Sequence, residues 1–130
     1  SPSRLYQSGK NYANLRENKG DLRMVEKKLK EQLEQYLKKL QKVLLIDRAY
    51  LIGSWANGKA KEESDVDLLL LSRSFSGMEM DKRLQILYRM TVDLDLDLHI
   101  HPVTEEELQS ASRLTTLGAM RLDKKILLTV

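Results

Sequence analysis

Two aspartates one residue apart, Asp65 and Asp67, follow a glycine–serine turn in this chain. On an extended strand, residues i and i+2 point to the same side, so both carboxylates offer oxygens to one place. Hard oxygen donors gathered on one face suit Mg²⁺ or Mn²⁺, ions that in turn bridge phosphate oxygens. Upstream stands Gly53-Ser54-Trp55-Ala56-Asn57-Gly58, and six residues separate Gly58 from Asp65. A Gly-Ser turn opening a helix exposes backbone N–H groups, a hydroxyl and the positive helix end, all favourable to phosphate. Neither piece is specific alone, since an isolated Asp-x-Asp is most often a solvated strand edge. Together, with Ser64 before the pair and an apolar strand after it, they point to metal-assisted chemistry on a nucleotide.

A second acidic group lies downstream. Val92, Leu94, Leu96, Leu98 and Ile100 alternate with Asp93, Asp95, Asp97 and His99, which predicts a strand over 92–100 with one apolar and one acidic face. Parity does not separate Asp93, Asp95 and Asp97, because all three face the same way. Like charges along one face repel, and a bound cation would relieve them; the plain alternative is the wet face of an edge strand. His99 and His101 share that face and with the carboxylates could form a transition-metal site, against a plain surface role. Trp55 could stack on a base or pack its helix. Met78, Met80 and Met90 read as core fillers or loop residues.

These side chains need a scaffold. Asp21 is a reasonable N-cap for a helix over 22–44, where Leu22, Val25, Leu29, Leu33, Tyr36, Leu37, Leu40 and Leu44 form one apolar stripe. Strands are expected at 49–52 and 66–71, and a helix at 80–91. Thr104 with Glu107 three residues on forms a capping box for a helix at 105–113. A short helix near 115–121 and a strand near 126–130 follow. The order predicts an α+β fold, a small mixed β-sheet with helices packed on one face, over residues 21–130. Residues 1–20 read as a flexible polar arm.

Composition sets bounds. The 130 residues are 42% hydrophobic and 32% charged, with net charge +3. That mild excess suits an anionic ligand and leaves nucleic-acid binding undecided. With no cysteine, thiol nucleophiles and zinc-thiolate sites are excluded, so a metal must be held by Asp, Glu or His. No apolar run approaches the roughly 18 residues of a membrane span, and a cytoplasmic location without membrane contact is the expectation. The long helix leaves a homodimer an even alternative to packing on its own sheet.

The composite Gly53-Ser54…Gly58…Ser64-Asp65-Val66-Asp67-Leu68 resembles the signature of the DNA polymerase β-like nucleotidyltransferase superfamily, most closely its minimal nucleotidyltransferase (MNT) branch. The resemblance covers about residues 44–103. It implies a polymerase β-like fold, an NTP substrate and two Mg²⁺ (or Mn²⁺) ions. It also implies a third carboxylate on a neighbouring strand, for which Asp97 is favoured and Asp95 comes second. Asp65, Asp67 and Asp97 would then be the catalytic metal ligands, with His99 a further alternate. Gly53, Ser54, Gly58, Lys59 and Ser64 would bind the nucleotide. At Trp55-Ala56-Asn57 the branch usually shows Arg at one or both outer positions; Lys59 and Lys61 lie close enough in sequence to substitute. Small members often pair with a helical HEPN-type protein, as antitoxins that move AMP from ATP to a toxin tyrosine, and this is the reading placed first. The alternatives are a stand-alone transferase acting on a small molecule or RNA end, and a non-catalytic nucleotide-binding regulatory module.

Overall fold

Apolar residues spaced three and four apart give the first helix, α1 (Lys19–Leu40), one stripe to bury, and the sheet forms against it. The computed structural model describes residues 19–61, 65–94, 96–112 and 114–130. In it Leu29, Leu33, Tyr36, Leu37 and Leu40 are all buried. Residues 1–18 of the expected arm lie outside the described residues, while Lys19 and Gly20 already belong to α1. The helix stops short of the expected 44, where the Val43 and Leu44 N–H groups both turn back to the Leu40 carbonyl, at 2.9 and 2.8 Å. Leu44 stays buried all the same. Among the described residues, no helix is long and apolar enough to cross a membrane.

Four strands follow: β1 (Arg48–Ile52), β2 (Val66–Leu71), β3 (Leu98–Val103) and β4 (Ile126–Leu127), in sheet order β3-β2-β1-β4. β2 and β3 run parallel, and β1 is antiparallel to both β2 and β4. A short helix α2 (Ser54–Asn57) leaves β1, α3 (Met80–Arg89) links β2 to β3, and α4 (Glu105–Ser110) and α5 (Thr116–Leu122) come before β4. This is the expected α+β architecture with a mixed sheet. Strand parity sorts its two faces. Ala49, Leu51, Val66, Leu68, Leu70, Leu98 and Ile100 share the large core with α1 and with Leu87 of α3. On the other face Ile52, Leu69, Leu71 and Val103 pack with Leu108 of α4, supported by Leu117 and Met120 of α5. The large helices thus cover one face, and the two short ones close only one end of the other.

The strand predicted over 92–100 begins later. Residues 91–93 form a turn after α3, with the Leu94 N–H on the Thr91 carbonyl at 2.9 Å, and the ladder opens only at the Val66–Leu98 pair. A strand needs a neighbour for its backbone groups, and β2 starts at Val66. The apolar side of the pattern keeps its role, since Leu94 and Leu96 pack on the large core ahead of Leu98 and Ile100. Val92, at the start of that side, is the exception and stands 85% exposed. On the polar side Asp93 leaves the row and turns to Lys39 of α1 at 3.0 Å.

β3 is held from outside by α3. The Tyr88 hydroxyl donates to the Leu98 carbonyl at 3.1 Å and accepts from the Ile100 N–H at 2.9 Å. Arg83, only 5% exposed, donates to the carbonyls of Pro102 (3.1 Å) and Met78 (2.9 Å). Its fork also grips both oxygens of Glu107, at 2.7 and 3.0 Å, and its guanidinium lies 5.5 Å from the Phe75 ring centroid. Glu107 is at the same time the acid of the expected capping box, accepting from the Thr104 N–H.

Removing Glu107 would strand a buried guanidinium. We expect Glu107→Ala to lower stability by about 2 kcal/mol, below the range for a fully buried pair because Glu107 is partly in water. The Arg83 hydrogen bonds, opposed by desolvation, hold the Glu107 carboxyl below its ordinary range. Its folded pKa is therefore lower than its unfolded one. Its contribution is complete above the ordinary glutamate range and fades as pH falls through the lowered folded value. Urea unfolding of both proteins across pH checks this: the gap should be full at neutral pH and shrink in acid.

Candidate active site

The last pair of the β1–β2 ladder is Ile52 with Asp67, so the turn that leaves β1 begins beside that aspartate. Gly53 makes the turn at φ 74° and ψ −147°, a backbone region that side chains exclude. The approach is close: a Cβ on Gly53 would stand 2.6 Å from Asp67 Oδ2. Both the conformation and the contact require glycine. α2 then starts at Ser54, and the Ala56 and Asn57 N–H groups return to the Gly53 carbonyl at 3.0 and 3.1 Å. Gly58 ends it in the left-handed region at φ 79°, and the Lys59 N–H folds back to the Ser54 carbonyl at 3.0 Å. Trp55 is buried in the large core. It packs the turn in place and does not present its ring at the surface.

β2 and β3 supply the rest. Asp67 stands opposite His99 in the parallel ladder, and the Val66 N–H donates to the Asp97 carbonyl at 3.0 Å, which sets Asp97 beside the start of β2. By parity Asp65, Asp67, Asp97, His99 and His101 lie on the sheet face that α4 and α5 leave uncovered. His99 Nε2 is 3.6 Å from Asp65 Oδ2 and 4.0 Å from Asp97 Oδ1. One donor atom from each of Asp65, Asp97 and His99 lies within 4.8 Å of the other two, all on exposed residues. His101 Nε2 instead meets Asp67 Oδ1 at 3.4 Å. The Asp67 carboxylate, 33% exposed, is thus flanked by the Gly53 backbone on one oxygen and an imidazole on the other.

The residues singled out in the sequence are brought together unequally. Gly53, Asp65, Asp67, Asp97 and His99 gather at one end of one face. Ser54, Gly58 and Lys59 follow on the adjoining turn, with the Lys59 side chain exposed. Asp93 leaves the group for Lys39. Ser64 and Asp95 lie outside the described residues. His101, placed on this face with His99 by parity, pairs with Leu69 in the ladder and turns its side chain to Asp67. Two carboxylates and an imidazole, Asp65, Asp97 and His99, open to water on one side, are a donor set that fits a divalent cation, with Asp67 next to them on the same face.

A family model described as a nucleotidyltransferase domain matches residues 27–123. Solved structures similar to the chain include two that cover most of it. One is a crystal structure of a candidate nucleotidyltransferase from Sulfolobus solfataricus. It superposes with a TM-score of 0.61 at 15% identity, over 80% of this chain and 82% of that one. The other is a toxin–antitoxin with AMP-PNP, with a TM-score of 0.51 at 22% identity, over 74% of this chain and 72% of that one. At such identities the likeness speaks for the fold alone. No curated protein matches the chain.

Proposed function

The chain belongs to the nucleotidyltransferase domain family, and on that premise we propose that it moves AMP from ATP to an acceptor hydroxyl, with Mg²⁺ or Mn²⁺ held by Asp65, Asp67 and Asp97. The observation that carries the reading is the seating of the Gly53 turn against Asp67, next to the Asp65–Asp97–His99 cluster. A phosphate tail lying along that turn would have its charged end beside the carboxylates.

The steps follow from the side chains. Two divalent ions, when bound, neutralise the triphosphate and lower the pKa of the acceptor hydroxyl. Backbone N–H groups of the Gly53-Ser54 turn and the Ser54 hydroxyl take the phosphate oxygens. Gly58 turns the chain so that Lys59 adds positive charge. Asp97, at the exposed rim, accepts the acceptor's proton. The acceptor oxygen bonds to the α-phosphorus as the bond to pyrophosphate breaks. Fixed placement and charge neutralisation supply most of the rate.

For the acceptor we propose a tyrosine of a helical HEPN-type partner, which makes the chain the antitoxin of a pair. The toxin–antitoxin neighbour crystallised with AMP-PNP supports a partner protein and an adenine nucleotide, and the HEPN type and the tyrosine are the finer part of the proposal. Thermal unfolding with ATP and Mg²⁺ tests the nucleotide site. ATP at about one hundred times its Kd would stabilise the fold by about 2.7 kcal/mol, on the order of 10 °C in Tm. The shift should vanish in the double variant Asp65→Ala/Asp67→Ala; equal shifts in both proteins, or none in either, would sink the reading. Transfer of label from α-labelled ATP to a tyrosine of a co-expressed HEPN-type protein would establish the acceptor, and its absence would refute that acceptor.

A further inference from the structure

Two imidazoles share the face that carries the carboxylates, and they do different things. His101 turns its Nε2 to Asp67 Oδ1 at 3.4 Å. His99 stands between two carboxylates, its Nε2 3.6 Å from Asp65 Oδ2 and 4.0 Å from Asp97 Oδ1. The three donor atoms fall within 4.8 Å of one another, a separation one ion can span. Two of the three backbones are held, because His99 lies within β3 and the Val66 N–H holds the Asp97 carbonyl.

The donor chemistry discriminates between cations. Mg²⁺ takes oxygen almost exclusively, demands near-ideal octahedral geometry and gives up water reluctantly. Imidazole nitrogen suits first-row transition dications, which accept a mixed set of nitrogen and carboxylate oxygen. An all-oxygen ion at Asp65 and Asp97 would leave His99 Nε2 beside it as a crowding group. A transition ion would take that nitrogen as a ligand.

Resting on the active-site reading above, we propose that this cluster binds a first-row transition dication of the Mn²⁺ class in preference to Mg²⁺, with His99 Nε2 as a ligand beside Asp65 and Asp97. His101 is not a ligand in this set; it faces Asp67.

Electron paramagnetic resonance of the full chain titrated with MnCl₂ alone tests this without any turnover. The expected result is bound Mn²⁺ whose pulsed spectrum shows coupling to a directly bound imidazole nitrogen. His99→Gln should abolish that coupling and weaken Mn²⁺ binding about tenfold, while Mg²⁺ binding, read by competition, stays within about twofold. His101→Gln should keep the coupling. Bound Mn²⁺ that is lost in Asp65→Asn yet shows no nitrogen coupling overturns the inference and leaves the nucleotidyl-transfer reading standing. Coupling that survives His99→Gln, or disappears only in His101→Gln, overturns the ligand assignment. Failure to bind Mn²⁺, together with no thermal shift from ATP and Mg²⁺, overturns the parent reading as well. Absence of the coupling in the wild-type protein overturns the inference even if a variant fails to fold.

Discussion

Asp67→Asn should lower nucleotidyl transfer by about a thousandfold or more while the protein stays folded. Asparagine keeps the shape of the side chain and can still pair with His101, so packing at this partly exposed position is little disturbed. What it loses is a negative charge and an anionic oxygen facing the Gly53 turn. A group that stabilises the transition state through a bound ion is worth roughly 4 kcal/mol, and that converts to a factor of about 10³ in rate. Initial rates of pyrophosphate release at saturating ATP, set beside far-ultraviolet circular dichroism, would measure both halves. Activity within tenfold of wild type in a folded variant would remove Asp67 from the metal-binding set.

Gly53→Ala should be the next most damaging change, for two separable reasons. The backbone there has φ 74°, where an L side chain costs about 1–2 kcal/mol. The new methyl would also stand 2.6 Å from Asp67 Oδ2, so the carboxylate must move. Displacing a reacting group by about 1 Å can cost on the order of 10² in rate. Gly77→Ala separates the two effects. Gly77 has φ 73°, but a Cβ there would meet nothing within 4 Å. Both variants should lose several degrees in Tm, and only Gly53→Ala should lose kcat. Equal activity in the two would show that the close approach to Asp67 does not matter to the chemistry.

What was legible in the sequence was mostly local. The apolar run of β2 and the glycine turn after β1 are short-range patterns, and both form where they were read. So does the capping box, with Thr104 and Glu107 satisfying each other's backbone groups. The acidic alternation after Val92 was legible only in part. Its period is right, and Leu94, Leu96, Leu98 and Ile100 all turn to the core. Where pairing starts, however, is set by Val66, about thirty residues upstream, and no local pattern carries that register. Asp93 was therefore grouped with carboxylates that it does not join. Asp97 and His99 depend on the same register: parity put them on one face, and only the ladder sets His99 opposite Asp67. α4 and α5 could be read as helices, but their packing on the second face rests on Leu108, Leu117 and Met120 meeting distant strands.

The hold of α3 on β3 bears on how this protein can associate. β3 is an outer strand of the sheet, the usual place for another chain to add a strand of its own. Here the Leu98 carbonyl and the Ile100 N–H are taken by Tyr88, the Pro102 carbonyl by Arg83, and Pro102 has no N–H to offer. An incoming strand would have to compete with these three side-chain bonds along the edge. At the far edge β4 is only two residues long. Edge-to-edge stacking of this sheet, whether into dimers or fibrils, meets side-chain competition on one side and is short of template on the other.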